Sequence, residues 1–205
     1  MLKRIFALVM VVLLTGCAAT QRISEQDRAN VNVVIINQDV KKPDDFYYFG
    51  PGSAFGLLFG AVGGAITAAV NQKPGEVLEQ FAIENEIYIE EIVRQEVISA
   101  MNNSGKFNLA DHKSEKASVV NVYIRLYGLS IPNGFSSKLV PALDIRCEMM
   151  DPNGRVIWAA NDRVSFLNSP VEAITLEELK SNPKKLEDMW IVAAREISNE
   201  LVMRY

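Results

Sequence analysis

The chain has 205 residues, of which 49% are hydrophobic and 22% are charged, and its mean hydropathy is +0.07. This composition excludes an intrinsically disordered chain, because disordered chains lack the apolar residues needed to build a core. The 21 Lys and Arg residues are outnumbered by 25 Asp and Glu residues, and the resulting net charge of −4 disfavours a nucleic-acid-binding protein. The apolar residues are concentrated in two blocks, residues 5–14 and 54–70.

The first block has the organisation of a secretory signal peptide. Two basic residues precede ten uninterrupted apolar residues, which are too few to cross a bilayer core that needs about 20 helical residues. The block ends in Leu14-Thr15-Gly16-Cys17, which resembles the lipobox of bacterial lipoproteins. We therefore expect residues 1–16 to be removed as a signal peptide and Cys17 to be lipidated.

The resemblance to bacterial lipoproteins implies a location for the protein. Members of that family carry diacylglycerol on the cysteine thiol and a further acyl chain, such as palmitate, on the new amino terminus. In their sorting logic Ala18, in place of Asp, favours the outer membrane over the inner membrane, with the protein facing the periplasm. With Cys17 lipidated, Cys147 has no partner for a disulfide within the chain, and we expect it to be a small core residue.

The remaining sequence predicts a polar, lipidated tether over residues 17–30, followed by a periplasmic domain over residues 31–205. Compact or alternating apolar residues predict four strands, at residues 32–37, 120–127, 143–149 and 155–166. Helical spacing predicts one long helix from Glu76 to about Ser104 and a final helix with Leu186 and Leu201 on its apolar face. Trp158 and Trp190 are expected to lie in the core.

This order of elements predicts an α+β fold. Because strands outnumber crossovers, we expect a mainly antiparallel sheet of about four strands with two helices on one face, plus a Gly-rich apolar helical insert. A helix that ends in Asn-Asn-Ser-Gly-Lys-Phe at residues 102–107, followed by a strand and a hairpin, resembles the periplasmic domains of penicillin-binding-protein-activator and curli-secretion-channel lipoproteins. That resemblance covers residues 76–166, implies a non-enzymatic role, and transfers no functional residue.

The second apolar block belongs to residues 46–72, a stretch of 27 residues without a charge. On a helix, Gly56, Gly60 and Gly63 share a narrow face, separate from a bulky face that includes Phe59 and Val62. Small faces allow helix backbones to pack closely, and the segment resembles the glycine zippers of bacterial envelope lipoproteins. Packing against other copies or within the membrane is therefore predicted for five glycines: Gly52, Gly56, Gly60, Gly63 and Gly64.

Other structures for residues 46–72 remain open at this point. The segment could instead be a Gly-rich loop or short helix folded onto the domain, and Pro51 with the Gly63-Gly64 pair permits a helical hairpin. A single helix over residues 54–70 is about 25 Å long, slightly short of a hydrocarbon core of about 30 Å.

Patterns typical of enzymes are missing from the sequence. The single histidine, His112, lies in a charged stretch without a second His or Cys nearby, which disfavours a metal site. Neither a Gly-x-Ser-x-Gly nucleophile turn nor a Gly-rich phosphate-binding loop occurs. We interpret the glutamates near residue 90 as the solvent-exposed face of a helix. We expect no catalytic residues, no metal and no cofactor.

These observations predict a membrane-anchored envelope lipoprotein that acts as a non-enzymatic interaction or assembly module. Its expected partners are the membrane, through Cys17, and either further copies of the chain or other envelope proteins, without nucleic acid. The alternative is a periplasmic carrier lipoprotein, in which the sheet and helices enclose an apolar cleft for a small ligand or a lipid. Assembly into a channel is a third possibility, which requires residues 46–72 of many copies to span the membrane.

Overall fold

The structure, a computed structural model, describes residues 20–50, 73–110, 116–134 and 136–205. Within these ranges the fold is α+β, with five helices and a mixed sheet of six strands. The helices are α1 (Glu25–Asn30), α2 (Pro74–Glu84), α3 (Ile89–Ser104), α4 (Leu176–Ser181) and α5 (Lys184–Met203). The strands are β1 (Val34–Ile36), β2 (Tyr47–Phe49), β3 (Ser118–Ser130), β4 (Lys138–Met150), β5 (Val156–Val164) and β6 (Ile174–Thr175).

The sheet is antiparallel at its centre and parallel at one edge. β4 pairs antiparallel with β3, β5 and β6, and its pairing with β5 is the predicted hairpin. β1 and β2 both run parallel to β3 along its other edge, joined by a bridge between Lys41 and Tyr123. The prediction of about four mainly antiparallel strands is therefore only partly confirmed. Helices α2 and α3 form a crossover between this edge and β3, and a crossover of this kind makes the pairing parallel.

One face of the sheet forms the core together with the helices. Val122 of β3 pairs with Cys147 of β4, and both side chains are buried, as the alternation of apolar residues predicts. Helix α5 packs on β4 and β5, and α3 packs on α5 and β3. Trp158 and Trp190 are buried in this layer, which confirms them as core residues. The opposite face carries ion pairs such as that between Arg125 and Asp144, at 2.9 Å.

A β-bulge in β3 changes which side chains face the core. The register with β4 shifts between Ile124 and Leu126, so that Arg125 is an extra residue. Beyond the bulge Tyr127 is buried and Leu126 is only half-buried. Uninterrupted alternation of apolar and polar residues from Val120 to Tyr127 predicts Leu126 inside and Tyr127 outside, and the bulge makes that prediction wrong.

The predicted long helix from Glu76 to Ser104 is two helices, α2 and α3. Helix α2 ends where the Asn85 side chain donates to the carbonyl oxygen of Phe81, and Glu86 adopts a left-handed φ of 57°. Ile87 then turns into the core. The predicted stop at Ser104-Gly105 is confirmed, because Gly105 has a φ of 65°.

Two segments contact the domain more than expected from the sequence. Residues 17–30 were predicted to be a tether, but Gln21 exchanges two backbone hydrogen bonds with Ala159, and Ile23 is buried. The predicted insert began at residue 46, but Phe46 is buried and residues 47–49 form β2. Residues 51–72 lie outside the described ranges. None of the described helices is long and apolar enough to cross a membrane.

Gly128 allows β2 to approach β3 closely, and this contact can be tested. Its φ is 151°, and a Cβ atom there would lie 1.9 Å from the carbonyl oxygen of Tyr47. We expect Gly128→Ala to lower the free energy of unfolding by about 3 kcal/mol or more, since the backbone of β2 must shift. The matched control is Gly154→Ala, where φ is 82° but the space is open, with an expected loss of about 1 kcal/mol. Equal losses in denaturant unfolding would contradict this interpretation.

Candidate functional site

The site residues predicted from the sequence lie outside the described ranges, as does the single histidine. These are Cys17, the five glycines of the predicted zipper, and His112. The structure does describe the two places where the chain leaves and rejoins the domain around residues 51–72. We call residues 42–50 and 73–79, together with Tyr127, the base of the glycine-rich segment.

The two ends of the base are in direct contact. A Cβ atom on Gly75, in the first turn of α2, would lie 2.2 Å from the carbonyl oxygen of Phe46, so only glycine permits this approach. The Phe46 side chain is buried, with its ring centroid 5.4 Å from that of Tyr127 and 5.8 Å from that of Trp190. The glycine-rich segment therefore leaves and rejoins the domain at one place.

A hydrogen-bonded triad of Lys42, Glu79 and Tyr127 ties the elements of the base together. The Lys42 Nζ donates to Glu79 Oε1 at 2.9 Å and to the Tyr127 hydroxyl at 3.2 Å. The Tyr127 hydroxyl in turn donates to Glu79 Oε1 at 2.7 Å. The side chains of Lys42 and Glu79 are each 26% exposed. The triad joins the edge segment after β1, helix α2 and strand β3.

The pKa shifts of the triad keep Glu79 and Lys42 charged and Tyr127 neutral at neutral pH. Partial burial opposes the charge on Glu79, but hydrogen bonds from Tyr127 and Lys42 outweigh it and lower the pKa of Glu79. Burial likewise opposes the charge on Lys42, yet hydrogen bonds to Glu79 and Tyr127 raise its pKa. Burial and the bond to Glu79 raise the pKa of Tyr127 to about 12. At neutral pH the triad is an ion pair capped by a neutral phenol, a state unsuited to proton transfer near pH 7.

Two clefts flank the triad, and Glu79 lines both. One has a volume of about 390 Å³ and includes Asp44, Asp45 and Lys73 in its wall. The other has a volume of about 230 Å³ and is lined mainly by apolar side chains of α2 and α3. Across the described ranges, no group of three or more His, Cys, Asp and Glu side chains is placed to hold a metal ion.

Sequence reasoning missed the residues of this base. Tyr127 was placed on the wrong face because the bulge at Arg125 has no signature in the apolar alternation. Lys42 and Glu79 are 37 residues apart and separated by the uncharged segment, so nothing in their spacing indicates an ion pair. The aromatic run Tyr47-Tyr48-Phe49 is a strand signal that could have removed β2 from the predicted insert.

Comparisons with known proteins give matches only among solved structures. No protein-family model matches the chain, and comparison of its sequence with curated proteins gives no match. A DUF330 protein of Xanthomonas campestris, XCC0632, is similar over 82% of this chain and 80% of its own, at 10% identity and a TM-score of 0.44. A PelC dodecamer from Paraburkholderia phytofirmans is similar over 91% and 94%, at 11% identity and a TM-score of 0.34.

A third similar structure is lipoprotein GNA1162 of Neisseria meningitidis. The likeness covers 78% of this chain and 97% of that one, at 14% identity and a TM-score of 0.26. These structures thus include one named as a lipoprotein and one that forms a dodecamer. At these identities and TM-scores the likeness supports no conclusion about function.

The triad predicts a pH-dependent loss of stability in Glu79→Gln. At pH 7 this variant is expected to lose about 1–2 kcal/mol of unfolding free energy, as a charge-assisted hydrogen-bond pair is removed. Because the pKa of Glu79 is lowered on folding, its contribution is complete above the ordinary value of 4.5 and disappears as the pH falls through the lowered value. The difference between wild type and variant should therefore shrink toward zero in denaturant unfolding at acidic pH.

The matched control for this experiment is Glu84→Gln on the same helix. Glu84 is exposed and accepts one bond, from Gln80 Nε2, so its loss should stay within about 0.5 kcal/mol at every pH. A difference for Glu79→Gln that does not change between neutral and acidic pH would contradict the assignment of Glu79 as a charged partner.

Proposed function

We propose that the protein is an outer-membrane lipoprotein that acts as a non-enzymatic assembly module in the cell envelope. Cys17 would anchor it, and the glycine-rich segment would pack against other copies or within the membrane. The observation that carries this proposal is the base, where Gly75 and the Phe46 carbonyl bring both ends of an uncharged segment to one place on the domain.

The composition of residues 51–72 supports packing rather than a solvated loop. This stretch contains no charged residue, whereas the chain as a whole is 22% charged. An uncharged, Gly-rich helix is marginal in water, because each glycine costs about 1 kcal/mol relative to alanine. Close packing against a second helix, or a lipid environment, compensates for this cost because the backbone must then satisfy its own hydrogen bonds.

The rigidity of the base supports a directional role for the segment. β2 pairs with β3 on one side of the base, and the Lys42–Glu79–Tyr127 triad joins it to α2 on the other. A segment held in this way leaves every copy of the domain at the same place. A repeated, self-complementary contact between copies requires the contacting segment to leave each copy at the same place.

The described polar clusters also favour a non-enzymatic role. The triad residues satisfy one another, and Tyr127 titrates far from neutral pH. The thiol of Cys147 is fully buried, and burial raises its pKa to about 12, so it is not a nucleophile. A binding or assembly function needs neither a nucleophile nor a general base.

One observation favours the alternative of a small-ligand carrier. A cavity of about 540 Å³ lies between β1 and α3, and its wall combines the apolar side chains of Ile35 and Ile98 with the polar side chains of Asn37, Asn102 and Arg94. The Arg94 Nε atom is buried and has no hydrogen-bond partner. A small polar ligand with a carboxylate or phosphate would suit this lining. The cavity lies away from the base, so substitutions in the glycine-rich segment distinguish a carrier from an assembly module.

Substitutions of the small face test the assembly role. Gly56→Leu and Gly60→Leu are expected to abolish cross-linked species larger than a monomer in native membranes, because the larger side chain keeps helix backbones apart. Val62→Leu, on the bulky face, is the matched control and should retain them. If both glycine variants give the same oligomers and the same membrane extraction as wild type, this face does not mediate assembly.

The two cysteines provide a matched test of the anchor. Cys17→Ala is expected to abolish incorporation of labelled palmitate and recovery of the mature protein in the outer-membrane fraction. Cys147→Ala should retain both, because that thiol is buried in the core. Unchanged palmitate incorporation in Cys17→Ala would exclude this residue as the lipidation site.

A further inference from the structure

A tight turn after β5 presents two large apolar side chains to solvent. Leu167 is 80% exposed and Phe166 is 49% exposed. The turn is fixed by its own polar groups, since the Ser165 backbone N–H and hydroxyl donate to Asn168 Oδ1, at 2.9 and 3.1 Å. Asn168 Nδ2 also donates to the carbonyl oxygen of Arg163, at 3.0 Å. These hydrogen bonds hold the turn in a conformation in which both apolar side chains are exposed.

The amino-terminal chain is attached to the edge of β5. Gln21 and Ala159 form an antiparallel bridge, and from there the chain runs toward the start of β5, where Asp27 pairs with Arg155. Because the bridge is antiparallel, Thr20, the first described residue, lies on the Val164 side of Gln21. Cys17 is four residues before Gln21, and four residues of chain span at most about 14 Å. The attachment point of a lipid on Cys17 therefore lies within about 14 Å of Gln21, which pairs with β5.

The glycine-rich segment also leaves the domain at this end. Along the sheet, Val164 pairs with Leu143, and the neighbouring Ala142 pairs with Gly128. Gly128 in turn pairs with Tyr47 of β2, so β2 and β5 terminate at the same end of the sheet. The exposed cations Arg163 and Lys138 lie there as well. The opposite end of the sheet carries the polar turn over residues 151–155.

We propose that this end of the sheet faces the lipid bilayer that holds the acyl chains of Cys17, and that Phe166 and Leu167 insert into its interfacial region. The inference rests on the proposed lipidation of Cys17. A short apolar loop adds little affinity by itself, but the anchor keeps it within reach of the bilayer at all times. The loop thereby sets the orientation of the domain on the membrane.

Labelling of the full, lipidated chain tests this orientation. A fluorescent label on Leu167→Cys is compared with a label on Asn153→Cys, which lies in the exposed turn at the opposite end. Native Cys147 does not compete for the label because it is fully buried. The labelled proteins are reconstituted into phosphatidylcholine vesicles that contain nitroxide groups on their acyl chains, and quenching by the nitroxides and by aqueous iodide is measured.

The expected result is quenching of the Leu167 label by the nitroxides, with iodide quenching several-fold weaker than for the Asn153 label. Equal iodide quenching of the two labels on vesicle-bound protein would contradict insertion of the turn into the bilayer. That result would not contradict lipidation of Cys17. Failure of the unlabelled wild-type protein to remain bound to the vesicles would overturn the anchor and the orientation together.

Discussion

The parallel pairing of residues 34–49 with β3 is the constraint on which the other features of this protein depend. It begins at Val34 and ends at Phe49, and it covers one edge of β3, which together with β4 is one of the two longest strands of the sheet. Its last part requires the backbones of Tyr47 and Gly128 to approach more closely than any side chain allows. This approach brings Phe46 into the core and sets the place where the uncharged segment leaves the domain. The base, the triad and the clefts all follow from this pairing.

Parallel pairing has a second consequence, which concerns the polar residues. A chain that runs along the edge of β3 carries Lys42 over the buried Tyr127 hydroxyl, where a charge needs compensation. Glu79 supplies it from the helix that follows the segment. An interaction between residues before and after the segment thus closes the base. The base is continuous with the hydrophobic layer, because the Phe46 ring centroid lies 5.8 Å from that of Trp190 in α5.

The sequence predicts the long elements well, because each repeats its apolar spacing several times. β3, β4, β5, α3 and α5 are all present, and Cys147, Trp158 and Trp190 are buried as expected. The features that the sequence does not predict depend on single local contacts, which leave no repeated pattern. β2 and β6 are two or three residues long, Arg125 adds one residue to a strand, and the break at Asn85–Glu86 depends on one side-chain hydrogen bond. The base combines such contacts, so its residues could not be assembled from periodicity.

A short tether changes what a lipid anchor does. An anchor on a long polar linker confines a domain to the vicinity of the membrane but leaves it free to rotate, whereas the attachment of Gln21 to β5 leaves only a few residues for rotation. If one end of the sheet faces the bilayer, every copy presents its glycine-rich segment at the same height above or within the lipid. Molecules that share a plane and an orientation meet at a much higher effective concentration than free molecules do. On the proposed function, weak contacts between small helix faces would then be sufficient for assembly.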